Sequence, residues 1–346
     1  MMMPVRCAIV GVGMMGREHA QILEASPAAE LVVACDTNPV AHGVLPDGVP
    51  FVTSLEQALD FPNIEAVVIA TPQSHHLTAV AASLERGLAV FCEKPIAHTL
   101  KDADAILELG SRSGARLVIG HCYRFDPRYR AIKDSVACGA LGRPVQITAR
   151  GNVPDFEGAL LARRTTLPNE NGVHVFDLMQ WLAGPISRVY AEATATDVLG
   201  KGLIDSIAMT VRFASGAVGT YATSWIMPSK LGYSSEHFFS FQGSSGLAWI
   251  DARGDGTGII GPGLTEFPSS LSYHDPTGVP YGLYRTEIEA FLAGVRDPAR
   301  GQWPITLQEA RSALAVALAS DESIRVCQPI VINQKDTVPH ADLPKA

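Results

Sequence analysis

Short apolar runs alternate with helical patterns over the first third of the chain. Val5 to Val10 reads as a strand, apolar apart from Arg6, and a helical pattern follows with Ala20, Ile22 and Leu23 among polar positions. Leu31 to Cys35, Glu65 to Ala70, Ala89 to Cys92 and Arg116 to Ile119 predict further strands. Between them, Leu55 to Leu59, Leu77 to Glu85 and Thr99 to Ser113 predict helices, the last with Thr99 as its N-cap. Strands that alternate with helices in this way build a parallel, doubly wound sheet.

After Gly120-His121 the pattern changes. Phe125 to Cys138 predicts a helix and Val145 to Arg150 a strand, whereas Asn152 to Pro168 is polar and irregular and predicts a loop. Such loops often carry substrate contacts. Its adjacent Arg163 and Arg164 suit either an anionic group or a solvated surface. Gly172 to Ala183 is a helix apolar almost all round, so it predicts a buried one. From Ile186 the chain turns to strands: Val189 to Thr196, Ser206 to Phe213, Ala217 to Trp225, His237 to Gln242 and Leu247 to Ile250. Short turns between consecutive strands mean a mostly antiparallel sheet. One face of it must be covered by helices or by another subunit. Gly254 to Pro280 predicts long loops. Glu287 to Val295 and Leu307 to Ile324 predict helices, the second with Thr306 as N-cap and Glu309 at the capping-box position. Pro329 to Asn333 adds a last strand, and the polar tail after Gln334 predicts no fixed structure. The chain reads as α/β, with a doubly wound domain over residues 1–121 and an α+β domain with a large open sheet over 122–346.

Composition narrows the function. The chain has 346 residues, 47% apolar and 18% charged, which describes an ordinary globular protein. A net charge of -8 disfavours nucleic acid and anionic membrane surfaces. No apolar run is long enough to predict a membrane span, and the start enters a strand without a signal-peptide layout. None of the six cysteines forms a CxxC pair, so a reduced cytoplasmic setting is expected, with neither a zinc site nor a disulfide framework.

Three local patterns carry chemistry. Gly11-Val12-Gly13-Met14-Met15-Gly16 is GxGxxG after a strand and at the start of a helix, the setting in which it binds a dinucleotide. Gly11 permits the tight turn, Gly13 lets the backbone approach a pyrophosphate, and Gly16 lets helix and strand pack closely. The amides at Met14 and Met15 belong to the helix N-terminus, which favours phosphate. Asp36 ends the next strand, roughly 20 residues on, where a carboxylate meets the ribose hydroxyls. Thr37 beside it is not basic, so a 2′-phosphate would lack a cation, and NAD is expected over NADP. The second pattern is Ala89 to Pro95, AVFCEKP. Pro95 keeps Lys94 out of the helical region, so the lysine projects from a strand end. Ligands bind beyond such ends in parallel sheets. Thr71-Pro72-Gln73-Ser74-His75-His76 is another strand end expected to border the cofactor. The third is Glu170, His174 and Asp177, spaced four and three apart and so on one helix face if the helix begins by Glu170.

An N-terminal GxGxxG, a TPxxxH-like turn, EKP at a strand end and then Arg124-Phe125-Asp126-Pro127-Arg128-Tyr129 together resemble the Gfo/Idh/MocA oxidoreductase family, over most of the chain. The resemblance implies a Rossmann domain followed by a substrate-binding domain with an open sheet, through which members form homodimers or homotetramers. It places Lys94 at the active site beside the nicotinamide and makes His174 the histidine of an acid-x-x-x-His pattern. Glu170 stands where the family commonly has aspartate, and Gln73 where asparagine is common. Thr71, Pro72, His76 and Glu93 join the glycines, Asp36 and Thr37 in the expected cofactor site. Arg124 and Asp177 join Lys94 and His174 toward substrate. The expected reaction is reversible oxidation of a secondary alcohol on a sugar, inositol or related polyol, with NAD as hydride acceptor. His174 is the expected base, Lys94 the group that stabilises the oxygen, and Glu170 or Asp177 the group that orients the imidazole. The alternatives are a dehydrogenase of a cyclic dihydrodiol or other non-sugar substrate, and a dinucleotide-binding regulator without catalysis.

Overall fold

The computed structural model describes residues 3–112, 114, 116–229, 236–253, 259–261, 264–266, 273–274, 280–297, 303–333 and 336. In chain order the first elements are β1 (Val5–Val10), α1 (Met14–Ala25), β2 (Ala29–Cys35), β3 (Phe51–Val52), α2 (Leu55–Leu59), β4 (Ala66–Ile69), α3 (His76–Glu85), β5 (Ala89–Glu93), α4 (Leu100–Arg112) and β6 (Leu117–Gly120). They are followed by α5 (Pro127–Ala137), β7 (Pro144–Pro154), α6 (Asp155–Leu161), α7 (Val173–Ala183), β8 (Ile186–Thr194), β9 (Ser206–Phe213), β10 (Val218–Met227), β11 (Glu236–Gly243) and β12 (Leu247–Arg253). Helices α8 (Leu283–Arg296) and α9 (Leu307–Val326) and a two-residue strand, Ile330–Val331, complete the order.

By its contacts the chain falls into two units, Met1–Phe125 with Ser270–Arg311, and Asp126–Ser269 with Ser312–Ala346. The first holds a parallel sheet in the order β3-β2-β1-β4-β5-β6. The order reverses beside β1, and a crevice for a dinucleotide opens at such a switch point. Its strands are apolar on both faces because helices cover both; β1, β4 and β5 are buried almost throughout. Thr99 caps α4, its Oγ1 accepting the Asp102 N–H at 3.1 Å. Helix α8 belongs to this unit although it lies far along the chain. Its Ile288, Phe291 and Leu292 enter the same core as Ile9, Leu23 and Phe91.

The second unit holds a seven-stranded sheet, β12-β11-β7-β10-β9-β8 and then Ile330–Val331. All neighbours are antiparallel except β7 and β10, which run parallel. Alternation is clear on β9, where Ile207, Met209, Val211 and Phe213 point inward. The inner face meets Phe176 of α7, whose ring lies 6.1 Å from Tyr221, and Tyr129 of α5, 5.3 Å from Phe239. Ser323 of α9 accepts the Ala191 N–H at 3.0 Å.

Two expectations are corrected here. Asn152 to Pro168 is irregular only over 162–166: β7 continues to Pro154 and α6 follows at once. The helix is hard to see because it buries little but Gly158, and leaves Phe156 and Leu160 exposed. Gly254 to Pro280 contains short two-stranded ladders, Ile259–Gly261 with Leu264–Glu266 and Tyr273–His274 with Pro280–Tyr281. The rest of that stretch, residues 230–235 and nearly all of the tail lie outside the described residues. Among the described residues no helix is long and apolar enough to cross a membrane.

Candidate active site

The glycine turn is packed as tightly as its sequence implies. A Cβ on Gly11 would stand 2.6 Å from the carbonyl of Ala70, and one on Gly16 would stand 1.9 Å from the Gly11 oxygen. Gly11 also has φ +91°, a conformation side chains rarely adopt. Gly13 is different: nothing lies within 4 Å of its added Cβ, so the turn is open on that side. Gly13 is the N-cap of α1 and supplies no side-chain bond, so the first amides of the helix, at Met14, Met15 and Gly16, face outward for an acceptor. The Met14 side chain is exposed.

Asp36 follows β2. Its Oδ2 accepts the Val12 N–H and its Oδ1 the Asn38 N–H, both at 2.8 Å. Each carboxylate oxygen keeps lone-pair capacity for hydroxyls. Thr37 beside it is exposed. At the end of β4, the Thr71 hydroxyl is buried without a hydrogen-bond partner among the described residues, which suits a bound group there. Pro72 is exposed. Of the paired histidines, His75 is exposed and His76 is buried, with Nδ1 2.9 Å from the Pro95 carbonyl and Nε2 3.0 Å from the Thr71 carbonyl. Burial holds its pKa below the ordinary value. His76 thus ties the ends of β4 and β5 together. The open turn, the uncapped amides, the Asp36 carboxylate and the orphaned Thr71 hydroxyl form a set that fits a dinucleotide.

Lys94 leaves the end of β5, and its peptide bond to Pro95 is cis. Its own N–H donates to Glu93 Oε2 at 3.1 Å. The other oxygen of Glu93 accepts from His19 Nε2 of α1 at 2.7 Å. His19 is fully buried. Burial pushes the Glu93 carboxyl up, but the His19 bond and the His19 and Lys94 charges outweigh it and hold it below its ordinary range. Arg124 is 1% exposed, and its Nη1 donates to the Pro304 carbonyl at 2.5 Å and to Glu309 at 3.0 Å. Its guanidinium therefore ties the end of β6 to the start of α9.

In the second unit, Glu170 lies in a π-helical turn, Pro168–Gly172, that runs directly into α7. Such turns are frequent at functional sites. The helical backbone is continuous through Glu170, His174 and Asp177; the first two are half-buried and Asp177 is 2% exposed. The turn is held from outside. Asp321 of α9 accepts from Thr166 Oγ1 at 2.9 Å and from Asn169 Nδ2 at 2.6 Å. Asn171 accepts from Trp225 Nε1 at 2.7 Å. Burial pushes the Asp321 carboxyl up to about 6. Glu157 of α6 is raised by burial and by the nearby Glu170 charge. Arg163 and Arg164 are exposed.

Residues 5–121 match the family model described as "Oxidoreductase family, NAD-binding Rossmann fold", and residues 129–248 match the "GFO/IDH/MocA C-terminal domain". The chain belongs to the Gfo/Idh/MocA family. As a member it is an oxidoreductase with an NAD-binding Rossmann fold. It is 28% identical to inositol 2-dehydrogenase of Rhizobium meliloti (strain 1021), over 93% of this chain and 97% of the relative. It is 26% identical to scyllo-inositol 2-dehydrogenase (NAD(+)) of Bacillus subtilis (strain 168), over 96% and 97%. The crystal structure of scyllo-inositol dehydrogenase from Lactobacillus casei with bound NAD(H) and scyllo-inositol shares the fold, with a TM-score of 0.81 over 95% of this chain and 99% of that one, at 18% identity.

This Gfo/Idh/MocA chain also places residues that the motifs did not single out. His19 was visible as a polar position on the stripe Gly16, His19, Ala20, Leu23 that α1 buries. Glu287 was visible in the same way on the buried stripe of α8. Asn171 and Asp321 carried no local signal, because their partners lie 54 and 152 residues away.

Proposed function

We propose that the protein oxidises a secondary alcohol of an inositol-type cyclic polyol, reversibly and with NAD. The observation that carries this is its similarity to inositol 2-dehydrogenases over nearly the whole of both chains. Bound NAD supplies the hydride acceptor. His174 removes the hydroxyl proton, since an imidazole titrates near working pH. Lys94 bonds the oxygen and stabilises its developing charge. Glu170 and Asp177, on the helical stretch that carries His174, orient the imidazole. The Gly11–Gly16 turn and Asp36 hold the dinucleotide, with Thr37, Thr71, Pro72 and His76 bordering it. The test is growth of NADH absorbance with myo- and scyllo-inositol beside hexoses and a cyclic dihydrodiol, each with NAD and NADP. Turnover of an inositol with NAD supports the reading. Turnover of the dihydrodiol alone, or of nothing in the panel, overturns it.

The same proposal includes a cytoplasmic homo-oligomer. Trp249, Ser240, Thr148, Thr220, Thr210 and Tyr190 form one register row across the outer face of the second sheet. The row is short-chained at its centre, with Trp249 63% exposed at one end. Such a face suits close approach of a second copy. Light scattering should give a mass of two or four chains for the wild type and a lower one for Thr220→Arg.

A further inference from the structure

Two acids stand at the inner end of β5, and only one of them is accounted for. Glu93 is bonded by His19 and by the Lys94 N–H. Glu287, 1% exposed, comes from α8 on the stripe Leu283, Glu287, Ile288, Phe291, Leu292. Gly120 is the register partner of Glu93 on the neighbouring strand. A Cβ on Gly120 would stand 3.4 Å from Glu287 Oε1, so the second carboxyl lies against the strand beside the first. That oxygen is buried and has no hydrogen-bond partner among the described residues. Cys122, Tyr284 and Glu93 share the electrostatic surroundings of Glu287. Tyr284 in turn packs edge-on to His19 and feels Glu18. Lys94 acts on Glu93 and on Cys122.

Two buried carboxylates this close cannot both ionise cheaply. Glu93 has the partners that an anion needs. Glu287 Oε1 has none among the described residues and the group faces the Glu93 charge, so burial and that charge drive its pKa well above the carboxylate range. We propose that His19, Glu93 and Glu287 act together as positioning residues for Lys94, holding a single carboxylate charge behind the lysine from within the first unit. His19 and the Lys94 N–H fix the orientation of that carboxylate. Its charge favours the ammonium form of Lys94. Glu287, as the neutral acid, fills the remaining space without adding a second anion. This inference rests on the reading of Lys94 as the group that bonds the substrate oxygen.

The experiment uses the full-length protein with NAD and the best polyol of the panel. Glu93→Gln should lower kcat by tenfold or more, roughly, with KM for NAD within about threefold. It should also move the alkaline limb of the kcat profile to lower pH by about one unit, because losing the anion makes the ammonium easier to deprotonate. His19→Leu should move the limb the same way, and His19→Gln, which keeps a donor, should restore it. Infrared spectra at pH 7 should contain a protonated-carboxyl stretch that Glu287→Gln removes. Profiles of Glu93→Gln and His19→Leu that overlay the wild type overturn the inference. So does an infrared spectrum unchanged by Glu287→Gln, a reading that needs no turnover and survives if Glu93→Gln fails to fold. Lys94→Ala separates the two failures: full turnover there removes the role of the lysine itself, whereas the infrared band tests Glu287 independently.

Discussion

The two units present their candidate chemistry by opposite means. In the first, Lys94 sits at a strand end defined by its own neighbours, Glu93 and Pro95, and by the ladder that pairs Glu93 with Gly120. In the second, Glu170 and His174 sit on a helical turn held by Asp321 and Trp225 from remote parts of the chain. A strand end in a parallel sheet is set by a short stretch and its immediate ladder. A π-to-α turn takes its shape from whatever presses on it. Motif reading is therefore strong for the first region and weak for the second. Mutations should act locally on chemistry in the first, and through stability and geometry in the second.

The largest expected effects test whether both regions serve one reaction. Lys94→Ala and His174→Ala should each lower kcat by roughly two to four orders of magnitude, with NAD affinity by titration little changed. A loss confined to one of them would leave the comparison one-sided. Next come the glycines, one in each unit. Gly16→Ala forces a Cβ to 1.9 Å from the Gly11 oxygen, so NAD binding should fall by tenfold or more, roughly, in a calorimetric titration. Gly158→Ala brings a Cβ to 2.3 Å from the Trp225 carbonyl. It should cost about 1–3 kcal/mol in denaturant unfolding, the usual penalty of overpacking, and leave NAD binding alone.

A subtler effect is the pH dependence of the second region. The Asp321 carboxyl is raised to about 6 in the fold, from an ordinary 3.8, first by burial. Its folded form therefore binds a proton more tightly than its unfolded form. The contribution to stability is full below about pH 4 and is lost as pH rises toward 6 and above. Asp321→Asn cannot ionise. Between pH 4 and pH 7 its stability relative to wild type should improve by on the order of 1–3 kcal/mol, measured as paired urea midpoints. A constant difference would show that this acid does not titrate in the window. The smallest effect is at the start of α9, where Thr306 and Glu309 bond each other's N–H groups at 3.1 and 2.7 Å. Thr306→Ala should cost about 1 kcal/mol of stability, with kcat unaffected.

Most of the fold was legible because its signals are local. The Thr99 and Thr306 caps, the strand before the glycine turn and the alternation on β9 are each decided within a few residues. Helix α6 was not legible, because its buried side is one glycine pressed on Trp225 and gives no apolar stripe. Part of the candidate site was legible because its signals are local too. The glycines, Asp36 and Lys94 sit at strand ends with their motif around them. His19 and Glu287 lie on the buried stripes of α1 and α8, but a stripe does not say what the residue meets.

By itself, then, the order of residues determined a dinucleotide turn, a lysine at a strand end, a doubly wound sheet and a second sheet built on alternation. Each follows from backbone preferences and spacing over a handful of positions. Only the folded chain decided that α8 joins the first unit, that a second carboxyl lies beside Gly120, and that Asp321 latches the turn before α7. Those contacts join positions far apart in the chain. Burial and hydrogen-bond satisfaction select them once the core has closed, and no short stretch of sequence contains both partners.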